Sequence, residues 1–243
     1  MKECLLTIKS HIALNETMYK MVLAGENLQM KAGQFVEVSV PNYFLRRPFS
    51  VASCTKDELT LIYKVVGSGT RDMAYMQIGT KLSVLCDLGN TFNLTKAKNP
   101  LLIGGGIGCA PMLQLAKEYN QLGITPTIIL GFRNKSEMFC YDEFSALGEV
   151  IIATDDGSFG NKGNAVSVLK ELNLSYDYYH ACGPMVMLKA LAGFSGKGEL
   201  SLEARMGCGF GACMGCSIKT TSGYKRVCKE GPVFTATEVL FDE

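Results

Sequence analysis

The hydrophobic pattern changes its period once along the chain. Over residues 1–98 apolar positions come in short runs broken by turn residues. "QFVEVSV" at 34–40 alternates apolar and polar side chains, and "LTLIYKVV" at 59–66 is rich in β-branched and aromatic residues. Such runs are half-buried strands, and their succession predicts an antiparallel β-barrel or sandwich. After Pro100, strand and helix signals alternate. Residues 101–103 read as a strand, and 111–122 as a helix with Met112, Leu113, Leu115, Ala116, Tyr119 and Leu122 at helical spacing. "TPTIILGF", "EVIIATDD" and "YDYYHACGP" read as further strands, with helices near 162–172 and 184–192. This alternation predicts a parallel α/β nucleotide-binding domain. Residues 201–243 are rich in glycine and cysteine and too few to bury a core, so something other than hydrophobic burial is expected to hold them. The expected division is 1–98, 99–200 and 201–243.

Composition removes several classes of function. With 243 residues the chain is long enough for two ordinary domains. Lys and Arg number 24 against 23 Asp and Glu, a net charge of +1, so there is no basic field for nucleic acid. The N-terminus, "MKECLLTIKSHIALNE", shows no secretory signal, which predicts a cytoplasmic protein. The uncharged run 99–116 approaches the length of a membrane span, but Gly104, Gly105, Gly106, Gly108 and Pro111 interrupt it; a strand, a tight turn and a helix start fit better. No membrane partner is expected. Of ten cysteines, Cys4, Cys54, Cys86, Cys109, Cys140 and Cys182 are scattered singly and read mostly as small buried apolar residues.

The other four are spaced for chemistry. Cys208, Cys213, Cys216 and Cys228 form C-x4-C-x2-C-x11-C within "RMGCGFGACMGC" and its continuation. This is the spacing of plant-type 2Fe-2S ferredoxins, in which one loop wraps the cluster and brings backbone N–H groups toward the sulfides. Gly207, Gly209, Gly211, Ala212 and Gly215 permit that close approach. A four-thiolate zinc site is the rival, although zinc ribbons usually carry two CxxC pairs and only Cys213 and Cys216 form one here.

Two further constellations suit phosphates. "RRPFSV" places Arg47 on a strand, and "IYKVVGSGT" places Gly67, Gly69 and Thr70 before a short helix, "TRDMAYM"; together they can clamp a pyrophosphate from two sides. "LLIGGGIGCAPM" matches G-G-x-G-x-x-P at Gly105, Gly106, Gly108 and Pro111, a strand-to-helix turn open to a dinucleotide. "ACGPM" ends the last strand of that domain at the sheet edge where α/β folds bind ligands.

In this order the motifs resemble the ferredoxin–NADP reductase superfamily. With "LEARMGCGFGACMGC" and "GYKRVCKEGPVF" the whole chain resembles the electron-transfer subunits of dihydroorotate dehydrogenase B. The resemblance implies FAD on Arg47, Pro48, Phe49, Ser50, Ile62, Tyr63, Lys64, Gly69 and Thr70 of the β-barrel. It implies NAD on Gly105, Gly106, Gly108, Cys182, Gly183 and Pro184, and a 2Fe-2S cluster on Cys208, Cys213, Cys216 and Cys228. It also implies a hetero-oligomer, a heterotetramer, with an FMN-containing dihydroorotate dehydrogenase catalytic subunit. Nicotinamide exchanges two electrons at once and the cluster one, so a flavin must stand between them. No acid/base residue is expected: His11 and His180 read as structural. One departure concerns the dinucleotide, because the second strand ends "GFRNKSE", with Arg133 where an acidic ribose ligand usually stands. Arg133 suits a 2′-phosphate, and Asp155 and Asp156 are candidate ribose contacts, so the residues alone leave NAD and NADP open. Two rivals stand beside this reading. One is the flavin subunit of a sulfide dehydrogenase or a ferredoxin-dependent NADP reductase, and the other a zinc module fused to a nucleotide-binding domain.

Overall fold

A computed structural model describes residues 1–194 and 197–241. The first region is one antiparallel sheet of β1 (Lys2–Ala13), β2 (Met18–Ala24), β3 (Phe35–Val38), β4 (Arg47–Ser50), β5 (Ser53–Cys54), β6 (Glu58–Lys64) and β7 (Lys81–Leu88). Its order, β4-β3-β7-β1-β2-β6-β5, sets the phosphate-binding candidates of β4 at one end and β6 near the other. The sheet curls about one apolar core. Leu59, Leu61 and Tyr63 of β6 point into that core while Ile62 faces the neighbouring region, because successive side chains of a strand point to opposite faces. Helix α1 (Ser68–Ala74) follows β6 as predicted.

The second region is a doubly wound sheet. Strands β8 (Pro100–Gly105), β9 (Thr127–Phe132), β10 (Glu149–Thr154), β11 (Asn161–Lys162), β12 (Tyr178–Cys182) and β13 (Gly198–Ser201) run parallel in the order β11-β10-β9-β8-β12-β13. Helices α2 (Cys109–Gln121), α3 (Tyr141–Ser145), α4 (Ala165–Leu172) and α5 (Met185–Phe194) connect them. Both faces are covered, as in other parallel sheets: Leu102, Ile128 and Leu130 pack under α2, and Leu101, Ile103 and Ile129 pack under α4 and α5. The strand order reverses between β8 and β12, which opens a crevice at their carboxyl ends.

The last region corrects one expectation. After the hairpin β14 (Ser217–Thr220) and β15 (Gly223–Arg226), strand β16 (Val233–Thr235) joins the second sheet antiparallel to β13, pairing Ser201 with Val233 and Leu200 with Phe234. Val227, Phe234, Ala236 and Val239 enter the apolar cluster that contains Leu191 and Leu200. Hydrophobic burial therefore does hold part of this segment, because it borrows a core instead of building one.

Candidate functional site

The first cleft, of about 340 Å³, is lined by Arg47, Pro48, Phe49 and Ser50 of β4 and by Ile62, Tyr63 and Lys64 of β6. Ile107, Pro111 and residues 201–204 and 206 also line it, so the two sheets and the start of the last region meet there. Phe49 and Tyr63 lie 5.5 Å apart, and the Tyr63 hydroxyl is 2.9 Å from His11 Nε2, which fixes the ring. Burial raises the Tyr63 hydroxyl well above its ordinary pKa. Arg47 stacks on Tyr43 at 4.8 Å and lies against Gly69, where a Cβ would come within 2.6 Å of its Nε. Gly69 thus makes room for the guanidinium and does not itself line the cleft. Thr70 does line it, with its hydroxyl accepting from the N–H groups of Val66 (3.0 Å) and Gly67 (3.2 Å). Arginine and helix start come together from two elements, an arrangement that fits a pyrophosphate.

The second cleft, of about 940 Å³, occupies the crevice where the strand order reverses. Gly105, Gly106, Gly183 and Pro184 line it together, the turn at Gly183 lying directly against Gly105, with Gly106 at φ +54° as the tight turn requires. Gly108 and Cys182 stand behind this wall. A Cβ on Gly108 would lie 2.4 Å from the Cys182 carbonyl, so that glycine seats α2 against β12. Cys182 is buried, and burial together with the nearby charge of Glu203 pushes its thiol up to about 12. Asp155 lines the cleft, whereas Asp156 lies outside it and accepts from the Ser158 N–H at 2.9 Å. Volume and glycine turn both suit an extended dinucleotide. Lys64, Ile107 and Glu203 line both clefts and mark where they join. Glu203 opens onto the solvent of the clefts, yet the protein packed around it raises its carboxyl.

The cysteines form a third site behind β3. Cys216 Sγ lies 3.2 Å from Cys228 Sγ, and Cys208 and Cys213 are each other's side-chain partners. The thiols lie in two pairs, and two irons sharing four thiolates would take them two and two. Cys208 Sγ accepts from the N–H groups of Ala212 (3.2 Å) and Cys213 (3.4 Å). Although burial opposes it, the Cys213, Phe210 and Ala212 N–H groups and the Cys213 thiol hold Cys208 down at about 6, ready as a thiolate. Burial and then Cys216 push Cys228 up to about 12. Gly209, at φ +75°, is the point of closest approach, for a Cβ there would meet Glu37 Oε1 at 2.5 Å. Arg226 Nη1 donates to the Gly211 carbonyl at 2.6 Å, and Asn90 holds the far end through Glu230 O (3.0 Å), Val233 O (2.7 Å) and the Val233 N–H (2.9 Å).

Comparison with known proteins agrees with this geometry. The profile of the iron-sulfur cluster binding domain of dihydroorotate dehydrogenase B matches residues 203–240. The dihydroorotate dehydrogenase B (NAD(+)) electron transfer subunit of Fusobacterium nucleatum is 41% identical over 250 residues, covering 96% of this chain and 96% of the relative. That of Lysinibacillus sphaericus is 43% identical over 241 residues, covering 93% of each. The chain belongs to the dihydroorotate dehydrogenase B electron transfer subunits.

Among solved structures, the NADH-dependent reduced ferredoxin–NADP oxidoreductase superposes with a TM-score of 0.90 at 27% identity, over 97% of this chain and 90% of that one. Phthalate dioxygenase reductase, 17% identical, shares the fold with a TM-score of 0.70 over 91% and 87% of the two chains. As a member of these subunits the chain uses FAD, NAD and a 2Fe-2S cluster, and the three sites suit them in turn. Among the described residues no helix is long and apolar enough to cross a membrane.

Sequence reasoning passed over three residues of this electron transfer subunit. Glu203 and Ile107 stand at the junction of the clefts, and Glu37 of β3, 1% exposed, packs against Gly209 of the cluster loop with Oε1 unpartnered. Burial, then the Cys208 charge, raises Glu37 to about 7 against the pull of Arg46 and Arg47. Glu37 falls on a polar position of the alternation in "QFVEVSV", which reads as a solvated face; the strand is instead buried on both faces, and nothing in the pattern flags the carboxylate.

Proposed function

We propose that the chain carries electrons from a dihydroorotate-oxidising, FMN-containing partner subunit to NAD+, as the electron-transfer subunit of an NAD-linked dihydroorotate dehydrogenase in pyrimidine biosynthesis. The observation that carries this reading is the two-and-two set of thiols seated against β3, the strand next to the Arg47–Ser50 wall of the first cleft. FAD, when bound, exchanges a hydride with nicotinamide and single electrons with the cluster.

The residues divide the work by region. In 1–98, Arg47 and the first turn of α1 hold the FAD pyrophosphate, Pro48, Phe49 and Tyr63 wall the ring, and Ser50, Ile62, Lys64 and Thr70 complete the site, with Gly69 behind Arg47. In 99–200, Gly105, Gly106, Gly183 and Pro184 admit NAD, supported by Gly108 and Cys182. In 201–243, Cys208, Cys213, Cys216 and Cys228 bind the cluster. Ile107 is the apolar residue where the clefts meet, placed to keep water from the junction of the two cofactor sites. Cys216 and Cys228 are buried, while Cys213, Phe210 and Met214 are exposed; that open side is the one to face the FMN subunit in a hetero-oligomer, a heterotetramer. None of the ten cysteines is in a disulfide, which fits a reducing cytoplasm.

A second reading has one observation in its favour, the 0.90 TM-score with the ferredoxin–NADP oxidoreductase. That reading predicts a partner bearing further iron–sulfur clusters. Anaerobic purification with the FMN subunit tests both. Flavin bands over iron–sulfur absorption, about two irons per FAD, and dihydroorotate-dependent reduction of NAD+ only when the subunits are combined are expected. A chain that stays monomeric beside the FMN subunit, or gives it no NAD-linked activity, overturns the proposal.

A further inference from the structure

The parallel sheet lacks the acid that usually selects NAD. In such sheets a carboxylate at the end of the second strand binds the ribose 2′-hydroxyl, and an arginine there accepts a 2′-phosphate instead. Here β9 ends at Phe132 and the next residue is Arg133, which taken alone favours the phosphorylated dinucleotide. The chain then makes a single helical turn over Lys135–Glu137 that brings a carboxylate back to the same place.

That carboxylate is firmly held. Asn134 Oδ1 accepts from the Glu137 N–H at 3.2 Å, and Asn15 of the first sheet's β1–β2 turn donates to the Glu137 carbonyl at 3.4 Å. Glu137 grips Arg133 with both oxygens: Oε1 lies 2.6 Å from Nη2 and Oε2 accepts from Nε at 3.2 Å. Lys64 Nζ stands 3.9 Å from Oε1 on the other side. The Glu137 side chain is 20% exposed against 67% for Arg133, so the acid is the fixed member and the arginine the tethered one. Both line the second cleft, with Asp155 and Lys170 as the other charged groups of that wall besides Lys64 and Glu203.

We propose that Glu137 is the residue that selects NAD over NADP in this subunit. Its carboxylate meets the ribose hydroxyls of NAD, and it occupies the guanidinium that would otherwise take a 2′-phosphate. A phosphate entering there must break a bidentate ion pair and then face the released carboxylate, two penalties that a bare hydroxyl avoids. This rests on the reading of the second cleft as the NAD site.

The test is calorimetric titration of the full-length, FAD-loaded chain with ADP-ribose and with 2′-phospho-ADP-ribose. Wild type is expected to bind ADP-ribose at least about tenfold more tightly than its 2′-phosphate. Glu137→Gln should tighten the phosphorylated ligand by about tenfold or more, and Arg133→Gln added to it should abolish the gain. Glu137→Gln alone should also lower KM for NADPH relative to wild type. An affinity ratio unchanged in Glu137→Gln, or a gain that survives the loss of Arg133, overturns the role of Glu137 alone. Failure of the wild-type chain to bind either ligand overturns the nucleotide reading of the cleft and this inference with it. Arg133→Gln alone removes the guanidinium tethered to Glu137; a large loss of ADP-ribose binding in it would show that the arginine is a direct ligand and not a captive one, and would overturn the inference.

Discussion

The nucleotide-binding sheet and the cluster loop are neighbours held in order by different means. All six residues of β8 are buried, and the strand is fixed by apolar side chains packed on both faces. In the cluster loop, between residues 207 and 215, only Gly209 and Gly211 are buried, so no side chain anchors it from within. It is tied from outside, by Arg226 at Gly211 and by Glu37 packed on Gly209. A sheet with its own core can hold a cleft before any ligand arrives. A loop without one depends on its neighbours and on the metal, since cluster binding supplies the order that burial does not.

The strongest way to break this comparison is Cys213→Ser. Cluster absorption and dihydroorotate-linked NAD+ reduction are expected to vanish while FAD stays bound, and amide exchange should quicken around 205–216 without reaching β8. Loss of flavin together with the cluster would show that the two regions order as one. Ile129→Ala attacks the other side. Ile129 is fully buried beneath α4 and α5, and its truncation should cost about 2–5 kcal/mol in urea unfolding followed by circular dichroism. A cost below about 1 kcal/mol would mean that the sheet is not the self-supporting partner.

The smallest effect is a pH dependence inside the sheet. His180 is fully buried, with Tyr119 Oη 2.6 Å from Nε2 and Glu199 3.3 Å from Nδ1. Burial lowers its pKa from the ordinary 6.5, although Glu199 pulls the other way. The folded state therefore holds His180 neutral, and stability present at neutral pH is lost as pH falls below that ordinary value. Burial opposes ionisation of Glu199, but His180 and the Asn93 N–H outweigh it; its lowered pKa matters only below the usual carboxylate range. Stability should fall as pH drops from about 7.5 to 5.5, and His180→Gln should flatten that fall. A slope unchanged in that variant would assign the dependence to another group.

Most of the architecture was legible because it rests on local periodicity. The alternation of "QFVEVSV", the apolar run before Gly104 and the helical spacing from Met112 to Tyr119 each gave the right element, with α2 starting two residues earlier than predicted. The cysteine spacing was legible for the same reason, since three ligands belong to one loop. What escaped depends on contacts distant in sequence. Val233–Thr235 is too short to announce a strand, and its pairing with β13 follows from packing alone. Glu137 lies four residues past Arg133, and only the turn between them brings the carboxylate back to the strand end. Gly108 and Gly105 are identical in the motif, yet one seats a helix and the other lines the cleft.

The pairing of Ser201 with Val233 has a consequence for how such a chain can be altered. Residues 202–232 leave the sheet and return to it at one place, with the Leu202 N–H donating to the Pro232 carbonyl at 2.9 Å. An excursion whose ends are already joined adds little to the cost of closing the chain when its length changes, about 0.6 kcal/mol for each doubling. The edge of the nucleotide sheet therefore works as a socket. A redox module of different length or metal content can be grafted between β13 and β16, provided that residues 202–206 of the first cleft's wall are kept and Cys216, Val227 and Cys228 are replaced in the shared core.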